Sequence, residues 1–596
     1  MQSHASRILA LALLIFCSVS RAQLTRGFIS GTVQDPTGGL IEDVEIRITN
    51  LDTGIGRATR TNTAGVYRFA AVEPGTYSAQ FSKVGFDSRT ISLIDVGATQ
   101  ELVLNADLTV STLATSVEVQ DAPPGVELAK STPTIDRRLS SQLVERLPTL
   151  GATRDVTRLA LLAPAVARVT GQTVYAAAGQ RSRNNNFTID GVDNNDAGVS
   201  TPALRIIPEQ VAEFQVQTNA FSAEFGRNSG AQISVTTRSG SNQLHGEAYD
   251  NYAASWMDSL TLAQKRSGVN SNPRYVHNEP GGDIGGRLIR DRTFFYSLID
   301  TTRRRGSPSL NAATPITIPT PEGMTALAST PLGPDQSTQS RQAALGALSF
   351  LKDVYPSITN YDSKTSVNVN GVPVQVGTTR IPMVNPVTYW TAVNRIDHQL
   401  SSKDSLSFRT AYDKQDVANV TSNLGFGSRW SANNDIHAQS HALSETRIFS
   451  PALINEFRAS FTRKAFAFLE NDPVTSTAVI AAAFTIGGTS SFPQGRTQDT
   501  LQFQDVATYL VRKHSLKAGL DFRRLRLDDV IGANTKGTWQ FANLADFVNN
   551  RATSITQAVS TASSEPRQNL MSFFFQDDWK VSRDLTVNLG LRYEYN

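Results

Sequence analysis

From about Leu244 to Asn596 the chain is a succession of paired alternating runs, each roughly ten residues long, joined by very short turns on one side and long polar segments on the other. In the last run Leu585, Val587, Leu589, Leu591 and Tyr593 share one parity, while Thr586, Asn588, Gly590, Arg592 and Glu594 share the other. Successive strand residues point to opposite faces, so one face suits lipid and the other a watery lumen. Beyond the N-terminus no stretch approaches the ~18 uninterrupted apolar residues of a spanning helix. Lipid offers no hydrogen bonds to a backbone, which leaves a closed antiparallel barrel as the way such a chain can span. The mean hydropathy of −0.23 does not oppose this, because alternating strands average out.

The short connections fall at Arg290-Asp291, Ser401-Ser402-Lys403, Ser450-Pro451, Arg512-Lys513-His514 and Ser582-Arg583; the long ones cover 303–389, 414–439, 464–500 and 528–569. A soluble sandwich or propeller does not require that asymmetry, whereas outer-membrane barrels have it. Flanking strands repeat the alternation. Leu406, Phe408 and Tyr412 oppose Ser405, Ser407 and Arg409; Phe457 and Phe461 oppose Arg458 and Thr462; Leu516, Leu520 and Phe522 oppose Lys517, Asp521 and Arg523. Asp577 breaks the pattern by sharing parity with Phe573, Phe575 and Trp579. Phe294, Phe449 and Trp579, near short turns, are expected to form an interfacial girdle. The count is about eleven strands, against about 22 in barrels with plugged lumens. Residues 241–596 are therefore expected to be the N-terminal half of a barrel, and the chain a fragment or truncated product.

Residues 1–22 read as a secretory signal, with Arg7 closing a short n-region, an apolar stretch over 8–16, and Ser20-Arg21-Ala22 as the cleavage site. The single cysteine, Cys17, lies inside it, so the exported chain is expected to hold no thiol or disulfide. Phe16 is not the small residue that lipidation of Cys17 needs. The 56 basic and 53 acidic residues are mixed along the chain, leaving no basic stripe for nucleic acid.

Residues 24–108 alternate β-branched runs with turn clusters at Asp35-Pro36-Thr37-Gly38-Gly39, Asn62-Thr63-Ala64-Gly65 and Glu73-Pro74-Gly75, which predicts a compact β-sandwich. Val44, Ile46 and Ile48 face one way, and Glu45, Arg47 and Thr49 the other. The segments Gly31-Thr32-Val33-Gln34-Asp35, Gly65-Val66-Tyr67-Arg68-Phe69 and Pro74-Gly75-Thr76-Tyr77 resemble the carboxypeptidase regulatory-like module, a transthyretin-type Greek-key sandwich. The resemblance implies an accessory domain without peptidase activity, and 27–108 contain no histidine.

Residues 109–134, ending near Asp121-Ala122-Pro123-Pro124, read as an extended linker. Within it Ser116-Val117-Glu118-Val119-Gln120 is β-prone, suited to adding to another sheet's edge or to ending the sandwich. Residues 135–240 change character: 138–147 and 153–162 have helical spacing, with Leu139, Leu143 and Leu147 on one face. Then comes the run Gly179 to Asp196, which includes Arg181, Asn186, Phe187, Ile189, Asp190, Gly191 and Asp193. With the runs Ile207 to Val216, Ala223 to Arg227 and Gly230 to Gly240 following in order, it resembles the plug of TonB-dependent outer-membrane transporters, especially Oar-like receptors with a regulatory-like sandwich in front.

The resemblance implies a small α+β plug filling a lipid-embedded barrel in the outer membrane, with the sandwich in the periplasm. It also implies a TonB box near Ser116 to Gln120, engaged by the TonB-ExbB-ExbD complex, and import of a bulky scarce solute such as an oligosaccharide, peptide or metal chelate.

Phe187 and Ile189 suit a core while Asp190-Gly191 turns the chain. A calcium site on Asp190, Asp193 and Asp196 is the sharper alternative, although the EF-hand register and its closing Glu are missing. Gly281-Gly282-Asp283-Ile284-Gly285-Gly286 lacks the P-loop Lys-Ser/Thr and reads as close strand packing. His437 and His441 are four apart at a strand entry, without a third ligand. No nucleophile elbow occurs, so no catalytic residue, cofactor or metal is expected. Two other readings are a surface adhesion or envelope-structural protein and, from the front module alone, a secreted carboxypeptidase-like enzyme.

Overall fold

A computed structural model describes residues 26–596 apart from 99, 111–115, 120–125, 129–133, 148–153, 170–174, 220, 261, 263–264, 266–271, 273, 307–314, 359, 382–383, 421–425, 427, 451 and 583–584. The signal reading with Cys17, the residues Gln120 to Pro124, and Pro451 and Arg583 lie outside the described residues.

The front unit is built from β1 (Gly27–Gln34), β2 (Glu45–Asn50), β3 (Gly56–Arg60), β4 (Val66–Val72), β5 (Gly75–Ser82), β6 (Ser88–Val96), β7 (Glu101–Leu104) and β8 (Ala106–Asp107). One layer runs β7-β1-β4 and the other β3-β2-β5-β6. Val44, Ile46 and Ile48 are buried between them, as their shared parity requires, while Arg47 is exposed. The Tyr67 ring meets Phe69 and Phe81 edge to face at 6.1 and 5.7 Å, and its hydroxyl donates to the Leu104 carbonyl at 2.6 Å. The expected turns close on their own side chains: Asp35 accepts from the Thr37 and Gly39 amides, and Asn62 from those of Ala64 and Val66.

The segment expected to be a linker instead extends both layers. β9 (Ser116–Val119) lies parallel beside β6, and β10 (Val126–Leu128) antiparallel beside β7. An edge strand leaves its outer N–H and C=O groups unpaired, so a β-prone segment tethered next to it finds a ready ladder.

The next unit contains β11 (Ile135–Ser140), β12 (Val166–Arg168), β13 (Tyr175–Ala177), β14 (Asn186–Ile189), β15 (Val192–Asp193), β16 (Val211–Thr218) and β17 (Ala231–Thr237), with one sheet in the order β11-β16-β17-β14-β15. The helical reading of 138–147 is corrected here. Residues through Ser140 form a strand whose Leu139 pairs with Phe214, and only Ser141–Arg146 is helical. The second expected helix is a 3-10 segment, Val156–Leu162. Leucines spaced for a helix were outweighed by the free edge of β16, a tertiary effect that local propensity does not contain.

The remainder is dominated by one antiparallel sheet. Its strands are β18 (His245–Asp250), β19 (Ala253–Ala254), β20 (Tyr275–Asn278), β21 (Pro280–Ile289) and β22 (Thr293–Gly306), and, after the external β23 (Ile316–Pro319), β24 (Ser363–Val369) and β25 (Val372–Thr379), β26 (Val387–Gln399), β27 (Asp404–Val417), β28 (Ala432–Ser450) and β29 (Leu453–Glu470). Beyond the external β30 (Thr477–Ile480) and β31 (Phe484–Ile486) come β32 (Gln494–Val511) and β33 (His514–Ile531); then, after the external β34 (Thr538–Phe541) and β35 (Ser554–Thr556), β36 (Ala562–Ser564), β37 (Arg567–Lys580) and β38 (Thr586–Tyr595). The main path is β18-β21-β22-β26-β27-β28-β29-β32-β33-β37-β38.

Parity holds along it. Phe408, Tyr412, Phe503, Phe573 and Leu591 are exposed outward, whereas Arg409, Arg458 and Arg523 are buried on the concave side. The misfit Asp577 accepts from His514 Nδ1 at 2.8 Å, and that imidazole stacks on Trp579 at 5.4 Å. Phe449 and Trp579 face outward as a girdle requires, but Phe294 does not: it shares parity with the inward Tyr296, Leu298 and Asp300, and is buried. The expected strand length also needs correction, because β29, β32 and β33 each have 18 residues. At about 3.3 Å per residue they rise well past an apolar band about 25 Å tall. The alternation fades there because both faces meet water, while the ladder continues.

The long segments are not simply polar loops. They fold together into an external lobe with two small sheets, β23-β25-β24 and β31-β30-β34-β35, and helices including Pro321–Ser329, Thr338–Ala347 and Leu544–Val548. Phe350 meets Phe426 and Trp430 at 4.9 and 4.7 Å, and Phe426 meets Phe484 at 5.7 Å, so three different loops share one aromatic core. Trp430→Ala is expected to cost about 3–5 kcal/mol. Hydrogen exchange should then rise together in 316–319, 363–379, 477–486 and 538–548, while the β27–β29 ladders stay protected; a rise confined to 426–430 would refute the shared core.

Candidate functional site

The Asp190-Gly191 turn joins β14 to β15 with φ of 50° and 78°, the left-handed pair that a two-residue hairpin needs. It aims a carboxylate at the barrel wall. Asp190 accepts from the Thr237 amide and hydroxyl at 2.8 and 2.9 Å, and meets Arg409 Nε at 2.8 Å and Arg395 Nη1 at 3.4 Å. Arg395 is itself held by Asp397 at 2.9 Å. Three residues on, Asp193 meets Arg523 Nη1 at 2.7 Å, and its own amide donates to Gln502 Oε1 at 2.9 Å. Asp521 anchors the other side of the Arg523 guanidinium at 2.7 Å. Asp196 completes the series with Lys464 at 3.1 Å and Arg496 at 3.3 Å.

The three aspartates weighed as calcium ligands thus diverge toward different strands, and each is neutralised by cations of the wall. Among the described residues no group of three or more His, Cys, Asp or Glu side chains is placed to hold a metal ion. Asn186 works inside the unit, donating to Gln232 Oε1 and accepting from Asn195, both at 2.7 Å. Gly191 supplies the turn, and Arg181 is exposed at the start of a short 3-10 segment, away from the wall contacts.

Sequence reasoning missed other contacts of the same kind. Arg205 lies between Asp300 at 3.3 Å, Asp413 at 3.5 Å and the Thr391 hydroxyl at 2.7 Å, with its guanidinium over Tyr389 at 5.0 Å. Arg154 pairs with Glu209 and Glu279, and burial pushes the Glu209 carboxyl above its ordinary range against the pull of Arg154. Gln498 donates to the Asn195 carbonyl at 2.9 Å and accepts from the Ala197 amide at 2.8 Å. Arg592 donates to the Glu224 carbonyl at 3.0 Å. The readable signal was an inward parity carrying charge, as at Arg409 and Arg523. The partner of each charge was not readable, because Asp193 and Arg523 lie 330 residues apart in the chain.

At the short-turn end the sandwich meets the barrel. Phe28, Ala70 and Ala71 pack with Ile454, beside Ile448 and Leu510. The Asn242 amide donates to the Asp52 carbonyl at 2.9 Å, and Arg138 joins Gln100 at 2.6 Å to Glu213 at 2.8 Å. Of the candidate box, Ser116 to Val119 pair with Ser88 to Ile91, and Gln120 is outside the described residues. His437 and His441 lie on the outward face of β28, about 13 Å apart at strand spacing, and bond separately to Asp435 and Thr410. The glycine run opens β21, where a Cβ on Gly282 would come within 2.8 Å of the Glu247 carbonyl oxygen on β18. Close strand approach therefore accounts for it.

Forming a buried ion pair roughly offsets the desolvation of its ions, but removing one partner strands the other at a cost of about 3–5 kcal/mol. Asp193→Asn and Arg523→Ala are each expected to loosen the inner unit by about that much, while the double variant loses less than their sum. Limited proteolysis of 179–240 in folded protein reads this, and additive losses would refute the pairing. Calcium chelation should leave the protease pattern of the native chain unchanged.

Residues 236–596 match the family described as outer membrane beta barrel domain, and residues 28–109 match the carboxypeptidase regulatory-like domain. The TonB-dependent transporter Oar of Myxococcus xanthus is 24% identical, with 98% of this chain aligned; the chain spans 58% of that protein's length. Among solved structures, the outer membrane transporter YddB of Escherichia coli is similar at 13% identity and a TM-score of 0.49, over 77% of this chain and 56% of that one. The siderophore receptor PirA of Acinetobacter baumannii is similar at 12% identity and a TM-score of 0.49, over the same shares of 77% and 56%. With a family match covering 361 of 596 residues, the chain belongs to the outer-membrane β-barrel domain family, carries a carboxypeptidase regulatory-like domain ahead of the barrel, and resides in the outer membrane.

Proposed function

We propose that the chain acts as a TonB-dependent receptor: the external lobe captures a bulky scarce solute, residues 135–240 plug the lumen, and the TonB-ExbB-ExbD complex pulls on the plug to admit the solute. The observation that carries this reading is the chemistry of the inner interface. Its contacts to the wall run through ion pairs and amides at Asp190, Asp193, Asp196 and Arg205, around one apolar patch where Ala203, Leu204 and Ile207 pack against Tyr296, Leu298, Val393 and Ala411. Such an interface fixes one docked position, yet water can replace its contacts as they open, so it suits a part that must be held and then moved. The similarity to the TonB-dependent transporter Oar over nearly the whole chain supports the same reading.

The reading requires ladder partners for both β18 and β38, which in a bilayer means barrel closure. It also assigns Ser116 to Gln120 the role of TonB box. Val119 and its neighbours then exchange one strand neighbour, β6, for another, a trade of main-chain hydrogen bonds that depends little on side chains. The class of solute stays open among oligosaccharide, peptide and metal chelate.

A photo-crosslinking residue at Val117 is expected to capture TonB in intact cells, and deletion of 112–124 to abolish uptake without removing the protein from the surface. Uptake unchanged by that deletion would favour an adhesion or envelope-structural role.

A further inference from the structure

A pull on residues 116–128 passes along the chain into β11, and β11 is weakly held by its own sheet. It stands at the edge of the order β11-β16-β17-β14-β15 and pairs with β16 alone, from Ile135 opposite Thr218 to Ser140 opposite Glu213. Ile135, Asp136 and Arg137 are exposed, so little apolar burial secures its first half. A six-residue edge strand with so few buried contacts opens readily unless another element caps it.

The cap comes from the sandwich. Its β6–β7 turn closes on an ion pair between β11 and β16, in which Arg138 meets Glu213 through Nη2 at 2.8 Å and Nε at 3.1 Å. The Ala98 amide donates to the same carboxylate at 3.1 Å, and Gln100 Oε1 accepts from Arg138 Nη1 at 2.6 Å. The guanidinium rests against Gly97, where a Cβ would stand 1.3 Å from Nη2. The sandwich is in turn fastened to the wall. Asn242, bound to Asp291 of the β21–β22 turn at 2.6 and 3.0 Å, donates to the Asp52 carbonyl at 2.9 Å. Arg26 donates to Ser405 of β27 at 3.1 Å, and Phe28, Ala70 and Ala71 pack on Ile454 of β29. From β21 to β29 are five spacings of about 4.8 Å, about 24 Å measured across the strands. A body fastened at points so far apart stays with the wall when β11 is pulled.

We propose that the sandwich is an autoinhibitory clamp: while its β6–β7 turn holds Arg138 and Glu213 together, β11 stays on β16 and the inner unit stays seated. The proposal rests on the reading of residues 135–240 as a plug. Charge-assisted hydrogen bonds are strong, yet they fail over a displacement of about an ångström. Lifting the sandwich from the base of the barrel therefore frees the ion pair in one step, and the β11 ladder can peel only afterwards. The strap formed by β9 and β10 lies on both layers of the sandwich, so tension on it loads the clamp before it loads the inner unit.

The test uses Gly97→Val, which changes nothing in the inner unit but fills the place of the Arg138 guanidinium, and the milder Gln100→Ala, which serves alone if the first variant fails to fold. Shifted mobility of unboiled protein reports folding. In purified protein, hydrogen exchange over 135–140 and 213–218 is expected to rise about tenfold in G97V and less in Q100A, with the barrel ladders unchanged. In intact cells the probe is entry of vancomycin. The wild type is expected to exclude it, G97V to admit it when TonB is present and exclude it when TonB is absent, and a 135–240 deletion to admit it in both. Unchanged exchange over 135–140 in a folded variant would overturn the clamp, as would a G97V protein that excludes vancomycin where the deletion admits it. Exclusion by the deletion as well would overturn the plug reading, and the clamp with it, even where exchange rises.

Discussion

The rest of the structure depends on one requirement: in lipid every peptide N–H and C=O of a spanning segment must find a partner within the protein. An antiparallel ladder meets it only when each strand has two neighbours, and that sets the order β21-β22-β26-β27-β28-β29-β32-β33-β37. Parity follows without further instruction. Once the ladder is fixed, Phe573 and Phe575 must face lipid and Phe574 and Gln576 the lumen, whatever their individual preferences. Arg409, Arg458 and Arg523 could not lie on the outer side within the apolar band at tolerable cost. On the inner side they become anchors.

That constraint also explains the inner unit's polar surface. A lumen lined by Thr391, Thr462, Gln498 and Gln502 offers hydrogen bonds, with an apolar patch at Tyr296, Leu298 and Val393, so whatever fills it must answer in kind, as Ala203, Leu204 and Ile207 do at the patch. The Asp190-Gly191 hairpin does so, presenting carboxylates at Asp190 and Asp193 to arginines on widely separated strands. Because desolvation nearly cancels attraction, such pairs specify position more than they supply adhesion. The sandwich below joins polar contacts, Arg26 to Ser405 and Asn242 to Asp52, with the packing of Phe28, Ala70 and Ala71 against Ile454, at the end of the barrel where water, not lipid, is the alternative.

How much of this was legible depended on the range of the interaction. The ladder partners of β27 through β38 were readable, because strand and turn repeat locally and each strand pairs with the next in line. The sandwich core at Val44, Ile46 and Ile48 was readable for the same reason. Residues 138–140 were misread as helix because the edge that captured them, β16, lies about 75 positions later in the chain. The external lobe was hidden for a related reason: Phe350, Phe426, Phe484 and Phe547 are spread through four loops, and their common core exists only in space. At the candidate site the acidic members stood out in one motif, whereas their counter-ions were indistinguishable from any other inward arginine until the register was known.

The lobe and the extended strands have a shared physical origin. Above the band both faces of β28, β29, β32 and β33 meet water, so no lipid penalty enforces alternation, and outward pairs such as Arg463 with Asp499 take the places that apolar residues hold lower down. A ladder that continues this far carries its connections away from the membrane as well. There the connections can reach one another, and burying Trp430 and Phe350 against a neighbouring loop offsets the conformational entropy of ordering segments that would otherwise remain open. Strand length is therefore what allows four separate loops to behave as one folded surface.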